Sequence, residues 1–568
     1  MARRSGGTVL ITTILHAIIH MLLSTYGATS EAQGNNQVHL TSRVTLLGEA
    51  FYSRTDVRVI GHSYYGIRYG TAKRFEHATE NTDFAYLHLR PANINGNGSR
   101  SGAVCLQATG TGMIASSNHG PVVMDEDCLF LDVHVPVLSE DAGELPVIMY
   151  IHGGALQAGD KDIFNGSTLS AEVQAIVVGI SYRLTVFGWL STGDAALPGN
   201  YGLGDCKLAL KWVIKHIRKF GGDPRRITVA GHSAGSMLTS ALYMDPDYRG
   251  LMKAAISLSG SVLLERMLIR HPRTAVLDLA TKTGCPNGTS EAAVECLKKA
   301  SAEKLLRHSK RVVKGDPDLV PYGFVIDQKH FKKAPRQVIA EEPAASGAQP
   351  TLVTGFTKED FSLLITITDP DYMDPTKPLE WKSLRESVAR WYLPLQADCA
   401  LLDYELAERV MQYYNISETD ERADMLLKYI HLTSDALFGY PAAKEAFLYA
   451  QKGFPSQVYV MSHNPHFSNF GAFHAMELGY IFGAEVNAKM LNLTLHVPVQ
   501  KSIYHMLRQV VHKGRTDGPL FGEFGKYIDL NQNGTWEEGT ADFKGLVAFW
   551  DSVVTSNCRT ANQSHNEL

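Results

Sequence analysis

The chain lacks several features, and each absence excludes something. Beyond residue 28 there is no run of eighteen uninterrupted apolar residues, the simplest pattern of a membrane-crossing helix. No internal repeat occurs, which removes solenoids and propellers. Positive charge is not in excess: the formal net charge is −4, and −6 without the first 28 residues, which hold Arg3 and Arg4 but no acid. That balance favours neither nucleic acid nor an anionic membrane as partner. No dinucleotide or phosphate-loop glycine pattern is present. His463 and His466, in "SHNPHF", have no cysteine or carboxylate at zinc spacing. The expectation is a protein that needs no metal and no cofactor.

What is present describes a large folded protein. With 45% hydrophobic and 20% charged residues in 568, a sizeable core can form. The N-terminus reads as a secretory signal over residues 1–28: Arg3-Arg4, then the largely apolar "TVLITTILHAIIHMLLSTYGA", then small residues around Ala28. Its removal would leave residues 29–568 as one secreted, extracellular domain without a membrane anchor. Seven cysteines agree with an oxidising compartment. Short loops close most easily, which favours Cys105 with Cys128 and Cys285 with Cys296. Cys206 opens an apolar helix and reads as a buried thiol; Cys399 and Cys558 stay open, paired or single. Asn97, Asn165, Asn287, Asn415, Asn492, Asn533 and Asn562 each begin an N-x-[ST] sequon and, in a secreted chain, mark surface loops that can carry glycan. Oligomeric state is not legible.

From about residue 145 the pattern alternates strand and helix. "LPVIMYIHGG", "AIVVGISYRL", "KAAISLSG", "PTLVTGF" and "QVYVMS" are buried-strand runs, while "CKLALKWVIKHIRKF" has apolar residues at helical spacing until Gly221-Gly222-Asp223-Pro224. Strands separated by helices imply an α/β fold with a large, mostly parallel sheet covered on both faces. In such sheets chemistry gathers at the carboxyl ends of the strands.

One of those ends carries "ITVAGHSAGSML", residues 227–238. Ile227 to Ala230 read as a strand, and Ser236 to Tyr243 can continue as a helix. A strand that reverses directly into a helix strains the residue at its tip, and a Cβ on either side would clash; Gly231 and Gly235 remove that obstacle. Ser233 would then stand at the carboxyl end of the sheet beside the Ala234 amide, in the geometry of a nucleophile. A G-x-S-x-G pentapeptide alone is weak, arising by chance about 0.3 times in a chain of this composition.

The longer segment "NYGLGDCKLALKWVIKHIRKFGGDPRRITVAGHSAGSML" resembles the central block of the type-B carboxylesterase and cholinesterase family, an α/β-hydrolase group. "EDCLFLDVHVP", "HGG" at 152–154 and "LVAFWDSVV" at 546–554 fit it as well, with coverage from about Val38 to Trp550. The resemblance implies acyl transfer by serine, acid and histidine in that chain order. It places His474 of "GAFHAMELGYIFG" as the base, with Ala475 where the family has glycine. It places Asp360 of "LVTGFTKEDFSLL" on the family's glutamate, with Glu359 as the alternative. Gly153, Gly154 and the Ala234 amide would form the oxyanion hole. His232 replaces a glutamate common in the family. It is expected to face away from Ser233 and pack beneath the turn.

The substrate implied is a small-molecule ester. The Cys105–Cys128 segment, "CLQATGTGMIASSNHGPVVMDEDC", has no aromatic residue, whereas the family's choline-site tryptophan lies in that loop. That argues against a cholinesterase and for a carboxylesterase acting on small or lipophilic esters. The rival reading is a catalytically silent adhesion or binding protein of the neuroligin-like kind. Ala475, the changed acid region and "HMLRQVVHKGRTDG", where relatives usually carry a Trp-Asn-Phe-type segment, weigh toward it; the presence of Ser233 and His474 weighs against it.

Overall fold

The computed structural model describes residues 36–41, 44–53, 58–82, 102–107, 122–137, 143–309, 322–391, 404–465, 471–483, 496–521, 525–531 and 533–555. The signal expected at 1–28, the sequons at Asn97, Asn492 and Asn562, and Cys399 and Cys558 lie outside them.

The described residues build an eleven-stranded sheet. In chain order its strands are β1 (Glu49–Tyr52), β2 (Val59–Arg68), β3 (Phe130–Pro136), β4 (Leu145–Ile151), β5 (Ile176–Ile180) and β6 (Gly222–His232). They continue with β7 (Ala254–Leu258), β8 (Thr351–Thr357), β9 (Ser456–Met461), β10 (Lys526–Leu530) and β11 (Trp536–Thr540). Across the sheet the order is β11-β10-β9-β8-β7-β6-β4-β5-β3-β2-β1. The seven strands from β10 to β5 are parallel, as expected from the alternating pattern. Antiparallel strands close both edges, β1 to β3 on one side and β11 on the other. β11 can run antiparallel because only a short turn separates it from β10, while a parallel partner needs a crossover of a dozen residues or more.

β4, β5, β7, β8 and β9 are buried along their whole length. Alternate residues serve opposite faces: Val147, Met149 and Ile151 join one core, Ile148 and Tyr150 the other. Helices cover both faces, among them α1 (Tyr201–His216), α2 (Ala234–Met244), α3 (Arg422–Ser434), α4 (Tyr440–Gln451), α5 (Met476–Phe482) and α6 (Val497–Lys513). α1 starts five residues before the Cys206 expected to open it, taking in Gly202 and Gly204. Packing overrides their poor helix propensity: a Cβ on Gly202 would lie 2.5 Å from the Trp189 ring.

The register aligns the ends of the central strands. Ile151 pairs with Gly231, His232 with Leu258, and Leu258 with Gly355. The chain therefore leaves β4, β6, β7 and β8 at one edge, which collects His152, Ser233, Ser259 and, three residues past β8, Asp360.

Both expected short-loop disulfides form, Cys105–Cys128 and Cys285–Cys296, and Cys206 is a buried free thiol. Asn287, Asn415 and Asn533 are exposed. Asn165 is half-buried, with its amide nitrogen 3.4 Å from Tyr65 Oη. Among the described residues no helix is long and apolar enough to cross a membrane.

Candidate active site

The reversal between β6 and α2 has the strain anticipated from its glycines. Ser233 sits at φ 56°, ψ −123°, a conformation that costs a non-glycine residue about 1–3 kcal/mol. Its neighbours leave no room for alternatives: a Cβ on Gly231 would lie 2.2 Å from the Gly235 carbonyl oxygen, and one on Gly235 would lie 2.0 Å from that of Ile151. The Ser233 amide donates to Leu258 O (2.8 Å), which fixes the tip against β7. Ala234 opens α2, so its amide belongs to the helix-terminal N–H groups that have no intrahelical acceptor.

The glycine turn after β4 lies directly against this tip. A Cβ on Gly153 would sit 2.7 Å from the His232 carbonyl oxygen and 3.1 Å from Ser233 Cβ. Gly154 has φ 112°, and Ala155 and Leu156 continue in the left-handed region at 55° and 60°. His152 braces the turn from below. Its ring stacks on Tyr182 at 4.5 Å, Nδ1 lies 2.8 Å from Gly153 O, and its own carbonyl accepts from Tyr182 Oη at 2.9 Å. Burial pushes the His152 imidazole down to about 4, so it stays neutral.

The acid and the histidine meet. His474 Nδ1 stands 2.5 Å from Asp360 Oδ1, and the His474 amide donates to Asp360 O at 3.1 Å. Asp360 is fully buried, and its Oδ2 accepts from Ser259 Oγ (2.7 Å) and the Thr357 amide (3.0 Å). With all three donors pointing at one carboxylate, Asp360 can hold His474 with Nδ1 protonated and leave Nε2 as the basic nitrogen. Glu359 faces elsewhere: its Oε2 accepts from the Ala472 amide (2.8 Å) and Oε1 lies 3.4 Å from His431 Nε2, so it braces the loop that carries His474. Ala475 takes the left-handed conformation, φ 71°, at the glycine position of the family.

Among the described residues Ser233 Oγ makes no hydrogen bond to His474. Four neighbours that the sequence did not mark as a group complete the site. Ser259 bridges Asp360 and Glu477, with Oγ 3.2 Å from Glu477 Oε1. Burial, with the Asp360 charge second, raises the Glu477 carboxyl to about 7. Phe438, in a π-helical turn at Asp435–Gly439 between α3 and α4, packs its ring 4.9 Å from that of His474. His232 was expected only to pack beneath the turn; instead it packs against His474 itself, with ring centroids 4.6 Å apart, and its Nδ1 faces the Gly153 turn. These contacts join residues up to some 240 positions apart, beyond the reach of any local pattern.

Among the described residues no cluster of three or more His, Cys, Asp or Glu side chains is arranged to hold a metal. A shallow cleft lined by Arg74, Glu126 and Phe187 abuts the Cys105–Cys128 bridge and touches none of the residues above.

A parallel sheet with a strained serine at a strand-to-helix reversal, and an aspartate–histidine pair at the same edge, defines an α/β-hydrolase. The model of the carboxylesterase family matches residues 36–552, and the chain belongs to that family. It is 31% identical to liver carboxylesterase 1 of Oryctolagus cuniculus over 357 residues, 61% of this chain and 62% of the relative. To liver carboxylesterase of Sus scrofa it is 29% identical over 452 residues, 76% and 77% of the two chains. To carboxylesterase 1E of Mus musculus it is 30% identical over 498 residues, 82% and 85%. The rabbit match thus spans less than two thirds of that relative's length.

Proposed function

We propose that this chain is a secreted serine carboxylic ester hydrolase working by acyl transfer on small or lipophilic esters. The observation that carries the reading is the short His474–Asp360 contact beside the strained Ser233 turn. Ser233 Oγ attacks the ester carbonyl carbon while His474 Nε2 takes its proton. Asp360 stabilises the imidazolium so formed. The carbonyl oxygen, now an oxyanion, accepts from the amides of Gly153, Gly154 and Ala234; each such donor is worth about 3 kcal/mol. Collapse expels the alcohol with the proton from His474, leaving an acyl ester on Ser233. Water, deprotonated by His474, then releases the acid and restores the serine. A rotation of the Ser233 side chain or a small shift of the His474 ring closes their gap when substrate binds, since such bonds commonly tighten only in the complex.

The names of the relatives, liver carboxylesterases, support an ester substrate, and the aromatic-poor Cys105–Cys128 segment supports a neutral one. Secretion, with glycan on the exposed Asn287, Asn415 and Asn533, is part of the same reading. Protein purified from the culture medium should hydrolyse a short-chain aryl ester, and Ser233→Ala should not. A folded wild-type chain that leaves a panel of aryl esters intact would favour the adhesion reading.

A further inference from the structure

β6 ends on His232, a side chain almost fully buried within the machinery just described. Its ring lies 4.6 Å from the His474 ring at an interplanar angle of 43°. One edge faces the glycine turn, for a Cβ on Gly153 would lie 3.4 Å from His232 Nδ1. At the other edge Nε2 is buried without a hydrogen-bond partner, 3.9 Å from Glu477 Oε1. Glu477 is tied through Ser259 to Asp360. Two imidazole–carboxyl pairs therefore lie side by side, His474 with Asp360 and His232 with Glu477, and Ser259 joins their acids.

We propose, building on the hydrolase reading, that His232 is a positioning residue for His474: with Phe438, its ring face holds the His474 imidazole against Asp360 and receives its positive charge while that ring carries the Ser233 proton.

The physical ground is the attraction between a cation and an aromatic ring within about 6 Å, strongest when water is excluded. Two aromatic rings lie within that range and tilt against His474, His232 at 4.6 Å and 43° and Phe438 at 4.9 Å and 32°. The contact helps only if His232 is itself neutral. Burial, with His474 as the second cause, holds it well below the usual imidazole range, so His474 takes the proton without facing a second cation. Where the family resemblance places a glutamate, able to balance the imidazolium by charge, this chain offers a ring able to do so by its face.

The test uses the full secreted chain. An organophosphate titrates the reactive Ser233, so that kcat refers only to competent molecules and misfolded material drops out. His232→Gln keeps polarity and loses the ring; His232→Phe keeps the ring and loses both nitrogens. On a short-chain aryl ester the expected result is about a tenfold fall in kcat for His232→Gln with KM within about twofold, and kcat within about threefold of wild type for His232→Phe. Unchanged kcat in His232→Gln, equal losses in both variants, or a change confined to KM would overturn the proposal while leaving the hydrolase reading intact. A wild-type chain that neither titrates nor turns over would remove both.

Discussion

Two loops at one edge of the sheet each hold a non-glycine residue in left-handed backbone, and the chain tolerates the strain for different reasons. At the serine turn the glycines flanking Ser233 are irreplaceable, because the atoms that would meet their side chains are backbone oxygens of β4 and α2, about 2 Å away. At the histidine loop Ala475 keeps its methyl group at φ 71°, and the atoms nearest a Cβ on Gly471 belong to the Glu359 side chain. Rigid main chain surrounds the first loop. Side chains surround the second. The nucleophile's place is thus set by the sheet, while the base's place is set by neighbours that substitution can move: Asp360, Glu359, His232 and Phe438.

The largest expected effect falls on the acid that holds the histidine loop. Asp360→Asn should lower kcat by roughly 10³–10⁴, the usual consequence of losing the orienting acid. Glu359→Gln, which loosens only the bracing at Ala472, should cost about tenfold or less; steady-state kinetics of the two variants side by side checks this. Reversed magnitudes would exchange the roles of these neighbours.

Stability should separate the loops next. Gly235→Ala forces a methyl into the Ile151 carbonyl and should cost more than about 4 kcal/mol, so that little folded protein is secreted. Gly471→Ala meets a movable carboxylate and should cost about 1–2 kcal/mol, mainly from its φ of 69°. Denaturant titration measures the second; yield in the medium reports the first.

The helix that the serine turn feeds carries a further test. Glu445 on α4 is fully buried, accepts from Ser240 Oγ on α2 (2.7 Å) and Ser261 Oγ (2.6 Å), and is raised by burial to about 7. The folded state then binds this proton more tightly than the unfolded state. Stability is fully present below about pH 4.5 and is lost as pH rises toward 7. Glu445→Gln should remove that loss, so its melting temperature relative to wild type should climb between pH 5 and 8, by the equivalent of about 2–3 kcal/mol at most. A pH-independent difference would mean that the carboxyl ionises as easily inside as outside. The smallest effect is Ala475→Gly, which relieves strain but adds unfolded-state entropy; a gain within about 1 kcal/mol is expected in thermal melts.

The sequence showed the sheet where burial is two-sided, since runs such as "LPVIMYI" need no partner to be recognised, and it showed the serine turn because its constraints are local. The antiparallel edge strands β1, β2 and β11 were less visible, being short or half-buried. His474 and Asp360 rested on family resemblance, and no spacing rule could choose between adjacent acids: only the turn after β8 sends one inward and the other to Ala472. Sequence alone predicts that His232 packs below the turn. Its contact with His474 depends on where a loop more than 240 residues later returns.

The most direct test of the account is peptide mapping after treatment of the secreted chain with an organophosphate. A single adduct on Ser233, formed at a rate that collapses in Asp360→Asn, is the result the account requires. A folded chain that stays unmodified at Ser233, or is modified equally fast without Asp360, would contradict it.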